Sequence, residues 1–268
     1  MTITPKAVLL DVGGVLRNTT VPLAEATQEA FRQVLHIRVS YRPTELYQFR
    51  ALGRFIHTVD ALQALYAFHR EGASLGMVLQ QISPHDYAVQ LMAKYPMHER
   101  KLQRMIDEYD RARERSEAEV TEIPGARQAL RLLQGRGVAL AIYTRTRRAF
   151  VERWLEKQRL KPFFPIVIAK EDVFGSSRSA SDHFDPLGEY KAVGLKKAMR
   201  RLGLLPRPEQ VAYVGDTPSD IHGAKAAGCR AIAVLTGRGT EAILRAAQPD
   251  ELYPDLLTYV HSFARHRS

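Results

Sequence analysis

Apolar runs of strand length alternate with amphipathic segments along most of the chain. The first run lies at residues 6–12, and others follow at 138–143, 165–169, 211–214 and 231–235. Between them, apolar residues recur three and four positions apart, the spacing of a helix with one buried face. These helices are expected at 126–134, 148–157, 192–202 and 219–227, with two more at the end of the chain. Strands that alternate with helices are typical of βαβ units, so the pattern predicts an α/β fold: a doubly wound parallel sheet with a Rossmann-like core.

A long helical stretch follows the first strand. Its three amphipathic segments lie at residues 22–35, 44–69 and 99–118. We therefore predict an all-helical cap domain of residues 18–117, inserted into an α/β core of residues 1–17 and 118–268. The segment 175–188 is rich in Ser, Asp and Gly and is expected to be a long loop.

Composition narrows the classes of protein that fit. The chain has 268 residues, a formal net charge of +10 and a single cysteine, Cys229, which excludes an internal disulfide framework and favours a reducing compartment. We see no signal-peptide pattern and no apolar run of membrane-spanning length, so we predict a cytoplasmic protein without a membrane partner. The arginines are spread along the chain without an aromatic-interleaved patch, which makes nucleic acid an unexpected partner despite the basic charge. A monomer or homodimer is expected.

Three aspartates follow predicted strands directly. Asp11 follows the first strand, and Asp216 and Asp220 follow the strand at 211–214. Ligand sites of open α/β sheets lie at the carboxyl ends of the strands, where these acids would converge and repel one another without a cation. Their oxygen ligands suit Mg²⁺. Asp220 could instead cap the next helix, a role for which Ser219 competes.

The other candidate groups are expected at the same edge of the sheet. Asp11 could attack a phosphoryl group as a nucleophile, although alone it could also be a turn or helix-cap acid. Gly13 and Gly14 would allow backbone N–H groups to approach phosphate oxygens. Five further candidates for the binding of phosphate are the strand-end Thr144, Arg145 after it, and Lys191 with its rivals Lys196 and Lys197.

Taken in order, these segments resemble the haloacid dehalogenase superfamily, specifically phosphatase-like members with a helical cap after the first strand. The resemblance rests on Leu-Leu-Asp-Val-Gly-Gly-Val-Leu, Ile-Pro-Gly-Ala-Arg-Gln-Ala-Leu, Ala-Ile-Tyr-Thr, Lys191 and Tyr-Val-Gly-Asp-Thr-Pro-Ser-Asp-Ile. The tail Ala-Ala-Gly-Cys-Arg-Ala-Ile-Ala-Val-Leu-Thr-Gly-Arg-Gly is similar to phosphoglycolate-phosphatase-like sequences.

The resemblance implies a role for each candidate. Asp11 would be the nucleophile, and Thr144 and Lys191 would hold the phosphoryl group of a small phosphorylated substrate. The implied Mg²⁺ ligands are Asp11, Asp216, Asp220 and the backbone carbonyl of Gly13.

Two departures from the family pattern stand out. Gly13 occupies the position of a second aspartate that protonates the leaving group and then activates water, help worth roughly 10²- to 10⁴-fold. Lys191 lacks the proline that commonly follows it. Candidate substitutes for the acid are His57 and His69 in the cap and Asp182 and His183 in the loop; Arg17, Arg50 and Arg54 could bind a second anionic group of the substrate.

Because Gly13 lacks the expected acid, functions other than a Mg²⁺-dependent phosphatase stay open. A dehalogenase needs no Mg²⁺, and its relatives lack the acid pair found here as Asp216 and Asp220. A phosphonatase uses a cap lysine, but the sequence has none between Lys6 and Lys94. A phospho-ligand-binding or regulatory protein with weak turnover is the remaining alternative.

Overall fold

The structure is a computed structural model that describes residues 4–116, 120–175 and 188–263. These residues form two compact units: a helical unit of residues 19–116 and a core unit of residues 4–18, 120–175 and 188–263.

The helical unit contains α1 (Thr20–Leu35), α2 (Pro43–Phe49), α3 (Thr58–Glu71), α4 (Leu75–Leu79), α5 (Pro84–Lys94) and α6 (Glu99–Ser116). The helices of the core unit are α7 (Ala126–Gly135), α8 (Arg148–Lys157), α9 (Lys170–Phe174), α10 (Glu189–Arg201), α11 (Pro218–Ala227), α12 (Glu241–Ala246) and α13 (Leu256–Ser262). Its strands are β1 (Ala7–Leu10), β2 (Ala139–Tyr143), β3 (Ile166–Ile168), β4 (Val211–Gly215), β5 (Arg230–Val234) and β6 (Glu251–Tyr253). Short 3₁₀ helices lie at Gly53–Ile56, Lys161–Phe163 and Pro208–Gln210.

The six strands of the core unit form one parallel sheet in the order β3-β2-β1-β4-β5-β6. Leu10 of β1 lies beside Ile142 of β2 and Val214 of β4. The strand order reverses between β1 and β4, which is where doubly wound sheets open a crevice for ligands. The predicted fold class is confirmed.

Alternating side chains of β1 are buried on opposite faces of this sheet. Val8 and Leu10 pack with α7, α8 and α13, whereas Ala7 and Leu9 pack with α10 and α11. Full burial of an aliphatic side chain such as Leu9 stabilises the fold by roughly 1.5–3 kcal/mol. Because both faces are covered, β1 reads as a continuous apolar run rather than an alternating one.

The helical unit has its own apolar core, in which Phe49 stacks on Phe55 at 4.7 Å between ring centroids. The long helix predicted at 44–69 is wrong: the segment is divided into α2, a 3₁₀ turn and α3. Gly53 has φ 51°, a left-handed conformation that does not continue a regular helix. Two short helices, α4 and α5, were not predicted.

No helix in the described part of the chain combines the length and apolar character needed to cross a membrane.

Candidate functional site

Three carboxylates meet at the carboxyl end of the central strands. Asp11 directly follows β1, and its N–H donates to the Val214 carbonyl at 3.0 Å, which extends the pairing of β1 and β4 by one residue. Asp216 directly follows β4, and Asp220 lies in the first turn of α11. One oxygen from each of the three acids lies within 4.8 Å of the others.

Burial of these acids makes their negative charge unfavourable. Burial raises the pKa of Asp11 to about 6, although Lys191 lowers it, and the charge of Asp220 adds to the rise. Burial, then repulsion from Asp220 and Asp11, raises the pKa of Asp216 to about 7. A cluster of buried oxygen ligands with unbalanced negative charge fits a hard divalent cation.

Asp220 differs from the other two acids because hydrogen bonds engage both of its oxygens. Its Oδ1 accepts from Lys191 Nζ and from the Tyr213 hydroxyl, the latter at 2.9 Å. Its Oδ2 accepts from Thr217 N at 2.9 Å, Thr217 Oγ1 at 2.5 Å and Asp216 N at 3.2 Å. Burial raises the pKa of Asp220, but Lys191, with the other donors, outweighs burial and holds it below its ordinary value.

These five hydrogen bonds fully occupy the acceptor capacity of a carboxylate, which has about four lone-pair sites. The bond from Thr217 N also caps α11, because Thr217 is the N-cap residue and Asp220 is the third residue of the helix. The N-cap is therefore neither Asp220 nor Ser219, the two residues considered from the sequence, although Asp220 contributes to capping from the third helical position.

Lys191 is the lysine that the structure places among the acids. It is the third residue of α10 and is 3% exposed. Its position depends on a close approach of α10 and α11, since a Cβ at Gly223 would lie 2.6 Å from Lys191 Cβ. Lys196 is exposed, and Lys197 donates to the Asp172 carbonyl, away from the three acids.

The Gly13–Gly14 turn lies against Asp216. Gly14 has φ 79°, and a Cβ there would lie 2.5 Å from Asp216 Cγ, so both conformation and space require glycine. Its N–H donates to the Arg17 carbonyl at 2.9 Å and is not available to a ligand in this conformation. The Gly13 carbonyl shares that planar peptide unit and points the opposite way. No described residue hydrogen-bonds the N–H or the carbonyl of Gly13.

Thr144 directly follows β2, one residue past the position opposite Asp11 in the sheet register, and is 2% exposed. Its Oγ1 accepts from Thr146 N at 3.2 Å, so its hydroxyl hydrogen remains able to donate. Thr146 Oγ1 in turn accepts from the buried Arg17 at 3.3 Å. Arg145 follows Thr144 and is half-buried.

The remaining candidates in the described residues divide between the two units. Arg17 lies in the core unit, its guanidinium 6.0 Å from the Trp154 ring centroid. In the helical unit, Arg50 and His57 are buried, His69 is exposed, and Arg54 pairs with Asp60. Asp182 and His183 lie outside the described residues.

The sequence reasoning missed a set of residues that orient the acids. Besides Tyr213 and Thr217, these lie in the β5–α12 loop, residues 236–239. Arg238 N donates to Asp216 Oδ2 at 2.8 Å, and Gly239 N donates to the Asp216 carbonyl at 2.9 Å. The available signal was a Thr-Gly-Arg-Gly turn directly after a strand, the place where open sheets put ligand-binding loops.

Comparisons with known proteins identify the family and the fold of the chain. The family model for haloacid dehalogenase-like hydrolases matches residues 79–234, a segment that includes Thr144, Lys191, Asp216 and Asp220 but not Asp11. Phosphoglycolate phosphatase of Escherichia coli K12 is 30% identical over 133 residues, which are 50% of this chain and 47% of that protein. The chain thus matches about half the length of this curated relative.

Two solved structures share the fold at low sequence identity. A protein of Haemophilus somnus 129pt, described as a predicted phosphoglycolate phosphatase, has a TM-score of 0.69 at 17% identity and covers 98% of this chain and 99% of its own. A haloacid dehalogenase-like family hydrolase of Streptococcus pneumoniae has a TM-score of 0.68 at 18% identity, with 97% and 99% covered. The family-model match spans more than half of the residues of this chain. The chain therefore belongs to the haloacid dehalogenase-like hydrolases.

Proposed function

We propose that the protein is a Mg²⁺-dependent phosphatase that hydrolyses a small phosphorylated metabolite through an aspartyl-phosphate on Asp11. The observation that carries this proposal is the cluster of three acids, of which Asp216 and Asp220 are buried and Asp11 half-buried, with Lys191 at the carboxyl end of β1 and β4. The curated relatives, phosphoglycolate phosphatases, support a phosphate ester as the substrate class.

In this proposal Asp11, Asp216 and the Gly13 carbonyl hold Mg²⁺ directly. Asp220 completes the acidic cluster, but its saturated hydrogen bonds favour a role in holding Lys191 and the Asp216 turn. Bound Mg²⁺ would neutralise the repulsion among the carboxylates and polarise the phosphoryl oxygens.

Asp11 supplies the nucleophilic oxygen. Its Oδ1 accepts from Val12 N at 2.7 Å, whereas its Oδ2 accepts from no described residue. Oδ2 attacks phosphorus, the bond from phosphorus to the ester oxygen breaks, and the leaving alkoxide takes a proton from water. Water then attacks the aspartyl-phosphate, which releases inorganic phosphate and a proton and restores the carboxylate.

Lys191 and Thr144 hold the transferred phosphoryl group. The Lys191 ammonium offsets negative charge beside Asp11, and the Thr144 hydroxyl donates to a phosphoryl oxygen. Arg145, next to Thr144, is proposed to bind the same anion. The backbone contribution comes from the Gly13 N–H rather than from that of Gly14, which is bonded to Arg17.

Gly13 gives the proposed phosphatase a preference among leaving groups. In the described residues of the core unit, Asp11, Asp216 and Asp220 are the acids of the cluster. In this proposal Asp11 is the nucleophile, Asp216 binds the cation and Asp220 is hydrogen-bonded at both oxygens, so none of them serves as the missing proton donor. An ester whose leaving group needs no protonation, such as p-nitrophenyl phosphate, is expected to react faster than an alkyl phosphate by roughly 10²- to 10⁴-fold, the usual contribution of a general acid.

The test is Mg²⁺-dependent release of phosphate from p-nitrophenyl phosphate and from phosphoglycolate. We expect Asp11→Asn to abolish release from both esters, and Asp107→Asn, at an exposed acid on α6, to have no effect. Gly13→Asp is expected to accelerate phosphoglycolate hydrolysis more than p-nitrophenyl phosphate hydrolysis. Phosphate release that is independent of Mg²⁺ and unchanged by Asp11→Asn would refute the proposal.

The absence of a general acid at Gly13 also favours a second candidate, a phospho-ligand-binding or regulatory protein with weak turnover. It predicts that the Mg²⁺-loaded protein binds inorganic phosphate or phosphoglycolate tightly and releases no product over many hours. Calorimetric titration with phosphoglycolate, followed by phosphate analysis of the same sample, separates the two functions.

A further inference from the structure

The β5–α12 loop, residues 236–239, contacts two separate parts of the candidate site. Thr236 Oγ1 donates to the Gly14 carbonyl at 2.6 Å, which connects the loop to the turn after β1. Arg238 N and Gly239 N donate to Asp216 at 2.8 and 2.9 Å, which connects the loop to the end of β4. The loop therefore bridges two elements that follow different strands.

The hydrogen bonds to Asp216 fix the direction of its carboxylate. Arg238 N engages Oδ2, so Oδ1 is the oxygen of Asp216 without a hydrogen-bond partner in the described residues. Gly237 makes this approach possible, because a side chain there would overlap the Asp216 carboxyl group.

The hydrogen bond from Thr236 fixes the turn on the other side. Gly14 is held at both of its peptide groups: its N–H donates to Arg17 and its carbonyl accepts from Thr236. Because a peptide unit is planar, the direction of the Gly14 N–H also sets the direction of the Gly13 carbonyl. Thr236 holds the next peptide unit, so it restrains the Gly13 carbonyl through the backbone dihedral angles of Gly14 rather than by contact.

We propose that Thr236 is a positioning residue for the cation site. Its hydroxyl couples the Gly13 carbonyl to the loop that orients Asp216, so that cation affinity depends on a side chain outside the ligand set. The identity of the cation as Mg²⁺ rests on the proposed function. Loss of such an outer contact typically weakens metal binding about 10- to 100-fold.

The test compares three substitutions at Thr236 by calorimetric titration of the purified protein with Mg²⁺ alone. Thr236→Val keeps the shape and removes the hydroxyl, and Thr236→Ser keeps the hydroxyl and removes the methyl group. We expect Thr236→Val to raise the Mg²⁺ dissociation constant about tenfold or more, with Thr236→Ser within about twofold of wild type. Thr236→Ala removes the same hydroxyl without adding bulk and takes the place of the valine variant if that variant does not fold.

A control variant separates positioning from a general loss of stability. Thr240 caps α12 by accepting from Ile243 N, and its side chain makes no hydrogen bond to the described acids of the cluster. Thr240→Val should lower the free energy of unfolding by about 1 kcal/mol and leave Mg²⁺ affinity unchanged.

Two results would overturn the role of Thr236: wild-type Mg²⁺ affinity in the variants without the hydroxyl, or equal weakening in the valine and serine variants. If the wild-type protein itself binds no Mg²⁺, the metal dependence of the proposed function is refuted together with this role. That outcome is distinguishable because it appears before any substitution is made.

Discussion

Neutralising Asp216 should stabilise the metal-free protein and at the same time remove its response to Mg²⁺. The Asp216→Asn substitution keeps the size of the side chain and an oxygen that can accept from Arg238 N. It removes a buried negative charge that Asp220 and Asp11 repel. Replacing a buried, hydrogen-bonded side chain usually destabilises a protein, so a gain in stability would be diagnostic of this cluster.

The magnitude follows from the pKa of Asp216, which is raised from 3.8 to about 7. At about 1.4 kcal/mol per pH unit, this rise corresponds to about 4 kcal/mol. Between these two pH values the folded protein retains a proton that the unfolded chain has lost. The stability of the metal-free protein therefore falls as pH rises from about 4 to about 7 and then levels off. Asp11, whose pKa is raised to about 6, contributes in the same direction.

The assay is thermal unfolding in EDTA at about pH 5 and about pH 8, repeated with excess Mg²⁺. A chain of this length gains about 2 °C per kcal/mol, so the metal-free asparagine variant should melt roughly 8 °C above wild type at the higher pH. The difference should be much smaller at the lower pH, where the wild-type carboxyl is protonated. Mg²⁺ should raise the melting temperature of wild type and have little effect on the variant.

Asp107→Asn, which removes the same charge from an exposed position, should show none of these effects. The reasoning is refuted if metal-free Asp216→Asn is less stable than wild type at the higher pH. It is also refuted if both proteins gain equally from Mg²⁺.

Two further predictions concern the groups around the acids. Lys191→Met leaves the buried carboxylate of Asp220 without its ammonium partner, and it should lower the free energy of unfolding, measured in urea, by about 3–5 kcal/mol. The control variant Lys196→Met changes an exposed site and should alter that free energy by less than about 0.5 kcal/mol. Gly14→Ala and Gly72→Ala both place a side chain at positive φ, at a cost of about 1–2 kcal/mol. Only Gly14→Ala would also place a methyl group against Asp216, so this variant should lose more stability and bind Mg²⁺ more weakly. The methyl group of Gly72→Ala meets no atom within 4 Å, so this variant should bind Mg²⁺ as wild type does. Equal losses in either pair would contradict the corresponding argument.

The convergence of the acids was accessible from the sequence because each strand is a short apolar run that ends at its acid. Burial on both faces makes such runs conspicuous, and parallel pairing brings their carboxyl ends to one edge. The same reasoning failed for elements without an apolar pattern. β6 has three half-buried residues, Glu251–Tyr253, and α9 has five residues. Neither is long enough to show a period.

Hydrogen-bond partners were harder to predict than positions. Asp220 is bonded by Lys191 from another helix and by Tyr213 from a buried strand, where a tyrosine resembles any other core residue. The start of α10 was placed three residues late, because its N-cap, Gly188 with φ 71°, has no side chain to signal a cap. The roles of Thr144, Arg145 and Lys191, the identity of the metal and the extent of the cap domain remain predictions.

The position of β1 in the sheet has a consequence for the order of folding. β1 pairs with β2, which begins more than a hundred residues later, and with β4, which begins about two hundred residues later. Closing such long loops is entropically unfavourable until other contacts already hold the ends together. Asp11 therefore meets Asp216 only after β4 has joined the sheet. During synthesis Asp11 is therefore present without the other two acids. The repulsion among the three carboxylates arises only when the rest of the core has assembled.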